Sequence, residues 1–108
     1  MKIVIAGAGD VGFHLAELLS YENQDIILVD NDRDVLKYAS THLDILPVEG
    51  DCSSIEILQQ AEAGTAHLFV AVTTHQNNNL VTAMLAKKMG AKYCIARVRN
   101  SEYLEEGQ

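Results

Sequence analysis

The sequence predicts an α/β domain: a Rossmann-like, three-layer fold around a parallel sheet in strand order 3-2-1-4-5, ending before a sixth strand. Three observations carry that expectation. Short apolar runs alternate with segments of helical period, the pattern of repeated strand-helix-strand units. The first run leads into Gly7-Ala8-Gly9-Asp10-Val11-Gly12, a G-x-G-x-x-G string that opens a helix. An acid, Asp30, closes the second run at about the 20-residue separation that the dinucleotide fold uses.

Taken in order, Lys2 to Ala6 reads as a buried strand. Val11, Leu15, Leu18 and Leu19 then recur at the spacing of one helix face. Asp25 to Asp30 is a second strand, apolar throughout its middle because helices cover both faces of such a sheet. A second helix begins near Asp32 and turns Val35, Leu36 and Ala39 inward. The third strand lies near Leu43 to Val48, and Pro47, which has no N–H for a ladder, puts it at an edge or a strand end. Ser53 or Ser54 caps a short third helix that buries Ile55 and Leu58. His67 to Val72 is the fourth strand. Gln76 to Met89 is the longest helix, with Leu80, Met84 and Leu85 inward, Lys87 and Lys88 in its last turn, and Gly90 as its stop. Tyr93 to Val98 is the fifth strand, and Asn100 or Ser101 caps a helix that has barely begun when the sequence ends. Ending there suggests a segment of a longer fold.

The bulk composition narrows the function. A chain of 108 residues suits one domain with one core. Its hydrophobic fraction of 48% and single proline fit an ordered domain. The net charge of −7, with scattered basic residues, argues against nucleic acid as a partner. Cys52 and Cys94 form no metal or redox pair and read as reduced thiols near the core. The four histidines show no ligand spacing, and no signal peptide or bilayer-spanning run is visible, so a cytoplasmic location without a bound metal is expected.

The chemistry concentrates at the carboxyl ends of the strands. Gly7 permits a tight turn, Gly9 lets a diphosphate approach the backbone, and Gly12 lets the helix pack close to the strand. The amides of the first helical turn then face the anion. Asp10 points to solvent, its backbone amide being the useful part. The plain alternative is a glycine turn that only connects two elements. Asp30, followed by Asn31, is placed to accept from both ribose hydroxyls, and it repels a 2′-phosphate, which disfavours NADP against NAD, ADP or ATP. Asp-Asn-Asp also reads as a loop and helix cap. Asp51, beside Cys52, either approaches the adenine or ribose or caps a helix. Thr73 and Thr74 follow the fourth strand at the crevice where strand order reverses; the alternative for them is a polar turn. Asn77-Asn78-Asn79 supplies capping groups to the long helix. Arg97, amid apolar residues of the fifth strand, calls for a carboxylate or a phosphate as partner, and Arg99 shares its face.

These residues together resemble a known family. Met1 to Gly12, Ile27-Leu-Val-Asp30, Gly50-Asp51-Cys52, Ala71-Val-Thr-Thr74 and Ile95-Ala-Arg97 occur in the order and spacing of the TrkA amino-terminal domains, also called KTN or RCK domains, of potassium transport regulators. The resemblance implies a regulatory switch and not an enzyme, binding NAD or NADH, or alternatively ATP, ADP or AMP. It maps Gly7, Ala8, Gly9, Asp10 and Val11 to the diphosphate, Asp30 to the ribose, and Thr73, Thr74 and Arg97 to the crevice. It also implies a membrane-embedded potassium transporter or channel subunit as partner, a homo-oligomer, and a peripheral position on the inner face of the membrane. The competing readings are the cofactor-binding half of an NAD-dependent oxidoreductase, whose acid or base would come from a second domain, and a dimerisation module with a vacant cleft.

Overall fold

The computed structural model describes residues 1–98. The described chain runs β1 (Lys2–Ala6), α1 (Asp10–Ser20), β2 (Asp25–Asp30), α2 (Arg33–His42), β3 (Leu46–Glu49), α3 (Ile55–Gln60), a 3-10 turn (Ala63–Thr65), β4 (Leu68–Ala71), α4 (Gln76–Met89) and β5 (Tyr93–Ala96). All pairings are parallel, and the order is β3-β2-β1-β4-β5, as the sequence predicts. The cap expected at Asn100 or Ser101, the side chain of Arg99 and the end before a sixth strand lie outside the described residues.

Alternation along the strands splits the core into two layers. Ile3 and Ile5 of β1 pack with Ile26, Leu28 and Val70 against Ala16 of α1 and Leu36 and Ala39 of α2. Val4 and Ala6 face the other way, with Ile27, Val29 and Phe69, onto Leu58 of α3 and Ala83 and Ala86 of α4. Burial on both faces is why these strands carry almost no polar residues. Among the described residues no helix is long and apolar enough to cross a membrane.

Two helix faces differ from the sequence expectation. On α1, Val11 and Leu18 are exposed, while Gly12 and Ala16 meet the sheet. On α4, Leu80 and Met84 are exposed, and Asn79, Thr82, Ala83 and Ala86 face inward. The physical reason is the same in both cases: along the line of closest approach the helix lies so near the sheet that mostly small side chains fill it, while Leu15 and Leu19 of α1 and Leu85 of α4 pack half-buried beside that line. Ile55 of α3 is likewise exposed, leaving Leu58 as its buried residue. The third strand begins at Leu46 rather than Leu43, because Leu43 ends α2 with its N–H on the Ala39 carbonyl at 2.8 Å.

The two rims of the sheet are unlike. In β3 the Gly50 N–H reaches back to the Asp30 carbonyl at 2.9 Å, so alternate residues from Gly50, including Val48, donate toward β2 and Pro47 sits where an N–H would point outward. Along β5 the Tyr93 N–H donates to the His67 carbonyl just before β4 at 3.0 Å, and the N–H of Arg97, just past β5, donates to the Ala71 carbonyl at 2.9 Å. Those of Cys94 and Ala96 therefore point away from β4. Leu80, Met84, Tyr93 and Ile95 are exposed around that rim.

Candidate functional site

A cleft of about 540 Å³ opens at the carboxyl ends of the strands, over the place where β1 meets β2 on one side and β4 on the other. Its floor is the glycine loop. Gly7 takes φ +115, and a Cβ there would press on the Thr73 amide at 2.9 Å. A Cβ on Gly12 would lie 1.7 Å from the Gly7 carbonyl oxygen, so α1 approaches its strand more closely than any other residue permits. Gly9 is different: nothing lies within 4 Å of where its Cβ would be, and the residue is exposed on the cleft wall.

Helix α1 starts at Asp10 with Gly9 as its N-cap and no side-chain cap. Its first-turn amides have no carbonyl of their own helix to meet. Helix α2 is a contrast, since the Asp32 carboxylate accepts from the Asp34 and Val35 amides at 3.0 and 3.3 Å. The end of α1 that faces the cleft is therefore left open to an anion, where an acid caps its neighbour.

Asp30 is held firmly at the end of β2. One carboxylate oxygen accepts the Ala8 N–H at 2.8 Å and the other the Asp32 N–H at 2.8 Å. The acid thus braces the glycine loop and faces the cleft beside it, with lone pairs remaining on both oxygens. Ala8 itself is buried, and its amide is committed to Asp30. Asp51 accepts from the Ser53 hydroxyl at 2.7 Å and the Ser53 amide at 2.9 Å. The Ser53 hydroxyl, then its amide, hold the Asp51 carboxyl below the usual carboxylate range. Burial pushes the adjacent Cys52 thiol up, and the nearby Asp51 and Asp30 charges add to that shift. Cys52 forms part of the cleft wall, with its thiol shifted toward the protonated form.

Past β4, Asn79 organises the crevice. It is buried, at 1% exposure. Its Oδ1 accepts the Thr73 amide at 2.9 Å and the Thr73 hydroxyl at 2.5 Å. Its Nδ2 donates to the carbonyls of Thr73 and Arg97, at 2.9 and 3.0 Å. Arg97 lies just beyond the end of β5, exposed, and not within the strand as the sequence suggested. That position removes the burial cost expected for its charge, and among the described residues the ion pairs are Lys2–Glu62 and Arg33–Glu49.

The cleft brings together Gly7, Gly9, Asp10, Val11, Asp30, Asn31, Asp51, Cys52, Thr73, Thr74 and Arg97. Ala8 and Gly12 lie behind it, one bracing Asp30 and the other packing the helix. Sequence reasoning left out Val29, Asp32, Val35, Val72, His75 and Asn78, which also line it. All but Asn78 sit within about five residues of a strand end, the signal that would have found them; Asn78 is in the first turn of α4. Asn79 was legible only as a capping residue, since its partner Arg97 is far away along the chain.

The TrkA-N domain family matches residues 3–107. The chain is 41% identical over 105 residues to the Trk system potassium uptake protein TrkA homolog of Archaeoglobus fulgidus, covering 97% of this chain and 24% of that protein. It is 44% identical over 107 residues to the Trk system potassium uptake protein TrkA of Haemophilus influenzae, covering 98% and 23% respectively. The chain thus spans about a quarter of the length of these relatives. Among solved structures, the Kef CTD of Shewanella denitrificans in AMP-bound form superposes with a TM-score of 0.77 at 24% identity, over 99% of this chain and 67% of that one. The TrkA-N domain of the inner membrane protein ybaL from Escherichia coli superposes with a TM-score of 0.64 at 14% identity, covering 98% and 92%. At these identities the two structures establish the fold.

Proposed function

The chain belongs to the TrkA-N domain family, and on that premise we propose that it is the nucleotide-sensing domain of a potassium uptake regulator, a ligand-controlled switch and not a catalyst. Its ligand is an adenine nucleotide: NAD or NADH, or alternatively ATP, ADP or AMP. The first-turn amides of α1 and the open space at Gly9 receive the diphosphate. Asp30 accepts the ribose hydroxyls while it holds the loop through Ala8. Asn31, Asp51 and Cys52 flank the adenosine half, and Thr73, Thr74 and Arg97 face the distal half. The carrying observation is the uncapped start of α1 set beside a carboxylate already aimed at the same loop.

The relatives are named for potassium uptake, which supports a partner in potassium transport. That this partner is a membrane-embedded transporter or channel subunit, that the chain lies peripherally on the inner face of the membrane, and that several copies assemble are parts of the same proposal. A nucleotide shifts such an assembly only by the difference in its affinity for two conformations. A coupling of about 1–3 kcal/mol is typical of such switches.

Calorimetric titration of the chain with NADH, NAD, ATP, ADP and AMP tests the reading. We expect binding of at least one of them, weakened about tenfold or more by Asp30→Ala, since hydrogen bonds to a charged group are worth about 1.5–3 kcal/mol. Failure of all five to bind, or a folded Asp30→Ala chain that binds as tightly as the parent, refutes it.

A further inference from the structure

The hydrogen bonds around Asn79 fix more than the backbone. The orientation of its amide is unambiguous: one end meets an N–H, which only donates, and the other end meets two carbonyls, which only accept. Oδ1 is therefore the acceptor facing Thr73. The Thr73 hydroxyl has one proton, and two acceptors compete for it: Asn79 Oδ1 at 2.5 Å and the His75 carbonyl at 3.3 Å. The shorter contact takes the proton. The His75 amide in turn donates to the Thr73 oxygen at 3.2 Å. Thr73 Oγ1 is left with a single unused lone pair and no proton to offer.

Thr73 lines the cleft, and its amide lies against Gly7 of the glycine loop. It sits just past the end of β4, on the opposite side of β1 from Asp30 of β2. We propose that Thr73, with Asn79 as the positioning residue that holds its proton, selects a ligand group that donates a hydrogen bond beyond the diphosphate, a hydroxyl or an amide, and disfavours a phosphate oxygen there. The inference rests on the nucleotide reading above and deepens it. A ligand whose first ribose meets Asp30 and whose diphosphate lies on α1 extends its far substituent toward β4. In NADH or ADP-ribose that substituent carries ribose hydroxyls, which donate to the free lone pair. In ATP it is a further phosphate, whose oxygens only accept.

Titration of the chain with ADP, ADP-ribose and NADH, in the parent and in Thr73→Val and Thr73→Ser, tests the proposal. The parent binds ADP-ribose more tightly than ADP. Thr73→Val, which keeps the shape but removes the acceptor, lowers the NADH-to-ADP affinity ratio about 3- to 10-fold, the effect of one neutral hydrogen bond. Thr73→Ser keeps the ratio within about twofold of the parent. General loosening of the loop weakens both ligands alike and leaves the ratio where it was, so an unchanged ratio in Thr73→Val overturns the proposal. ADP binding tighter than ADP-ribose in the parent overturns it without any variant. A parent chain that binds ADP but fails either criterion refutes this inference alone; one that binds no nucleotide refutes the nucleotide reading as well.

Discussion

Two glycines three positions apart should respond to alanine in opposite ways. In Gly12→Ala the new Cβ meets the Gly7 carbonyl oxygen at 1.7 Å and its carbon at 2.7 Å. Comfortable contact needs roughly 3.5 Å, so α1 must retreat by roughly 2 Å. The obstacle is backbone, which has no alternative rotamer, and the cost falls at the upper end of overpacking, about 3 kcal/mol. For a domain of this size that is a fall in melting temperature of roughly 12–24 °C. Gly9 has φ −71, open to any residue, and empty space around its Cβ position. Gly9→Ala should therefore keep the parent stability or gain up to about 1 kcal/mol through the unfolded chain. Its methyl group, however, stands where a diphosphate must approach, and nucleotide affinity should fall at least about tenfold. Differential scanning fluorimetry and calorimetry on both variants separate the effects. A Gly12→Ala melting point within about 5 °C of the parent refutes the packing argument. Parent-like nucleotide binding in Gly9→Ala shows that the anion does not lie on this loop.

Two further predictions follow from buried or shared polar groups. Asn79→Ala leaves the Thr73 amide and the Thr73 and Arg97 carbonyls without their partner in a part-buried crevice, at a cost of about 3 kcal/mol, so thermal unfolding should shift down by more than about 10 °C; an unshifted transition contradicts this network. Asp51 is held below its ordinary value of 3.8 chiefly by the Ser53 hydroxyl. Because folding favours the anion, that stabilisation is complete above the unfolded carboxyl value and is lost as pH falls through the lower folded one. Ser53→Ala should move the Asp51 titration midpoint upward toward 3.8, as followed by carboxyl carbon shifts in NMR; an unmoved midpoint shows that the hydroxyl does not set it.

Much of the architecture was legible because strands and loops announce themselves locally. The β1 run, the glycine string, Asp30 and the stop at Gly90 are each defined by near neighbours in the chain, and each lies where its local pattern places it. Pro47 was legible for the same reason. Helix faces were harder. Periodicity assigned Val11, Leu18, Leu80 and Met84 to the interior because they are large and apolar, whereas the interior of a tightly packed helix-on-sheet layer is chosen by size. Gly12, Ala16, Ala83 and Ala86 won those positions. The cleft shows the same division. Its strand-end residues could be named from spacing, but the clamp joining Thr73 to Arg97 through Asn79 depends on pairing β4 with β5, which no local pattern states.

The unlike rims of the sheet give the domain a direction. Along β3 a proline takes the place of one outward donor, so another chain laid beside it would find a gap in the hydrogen-bonding ladder. Along β5 the donors at Cys94 and Ala96 are intact and oily side chains flank them. Any sheet extension, whether by further polypeptide or by unwanted self-association at high concentration, should thus begin from one flank only. Charged residues introduced beside β5 are accordingly the first change to make if the isolated chain proves hard to keep in solution.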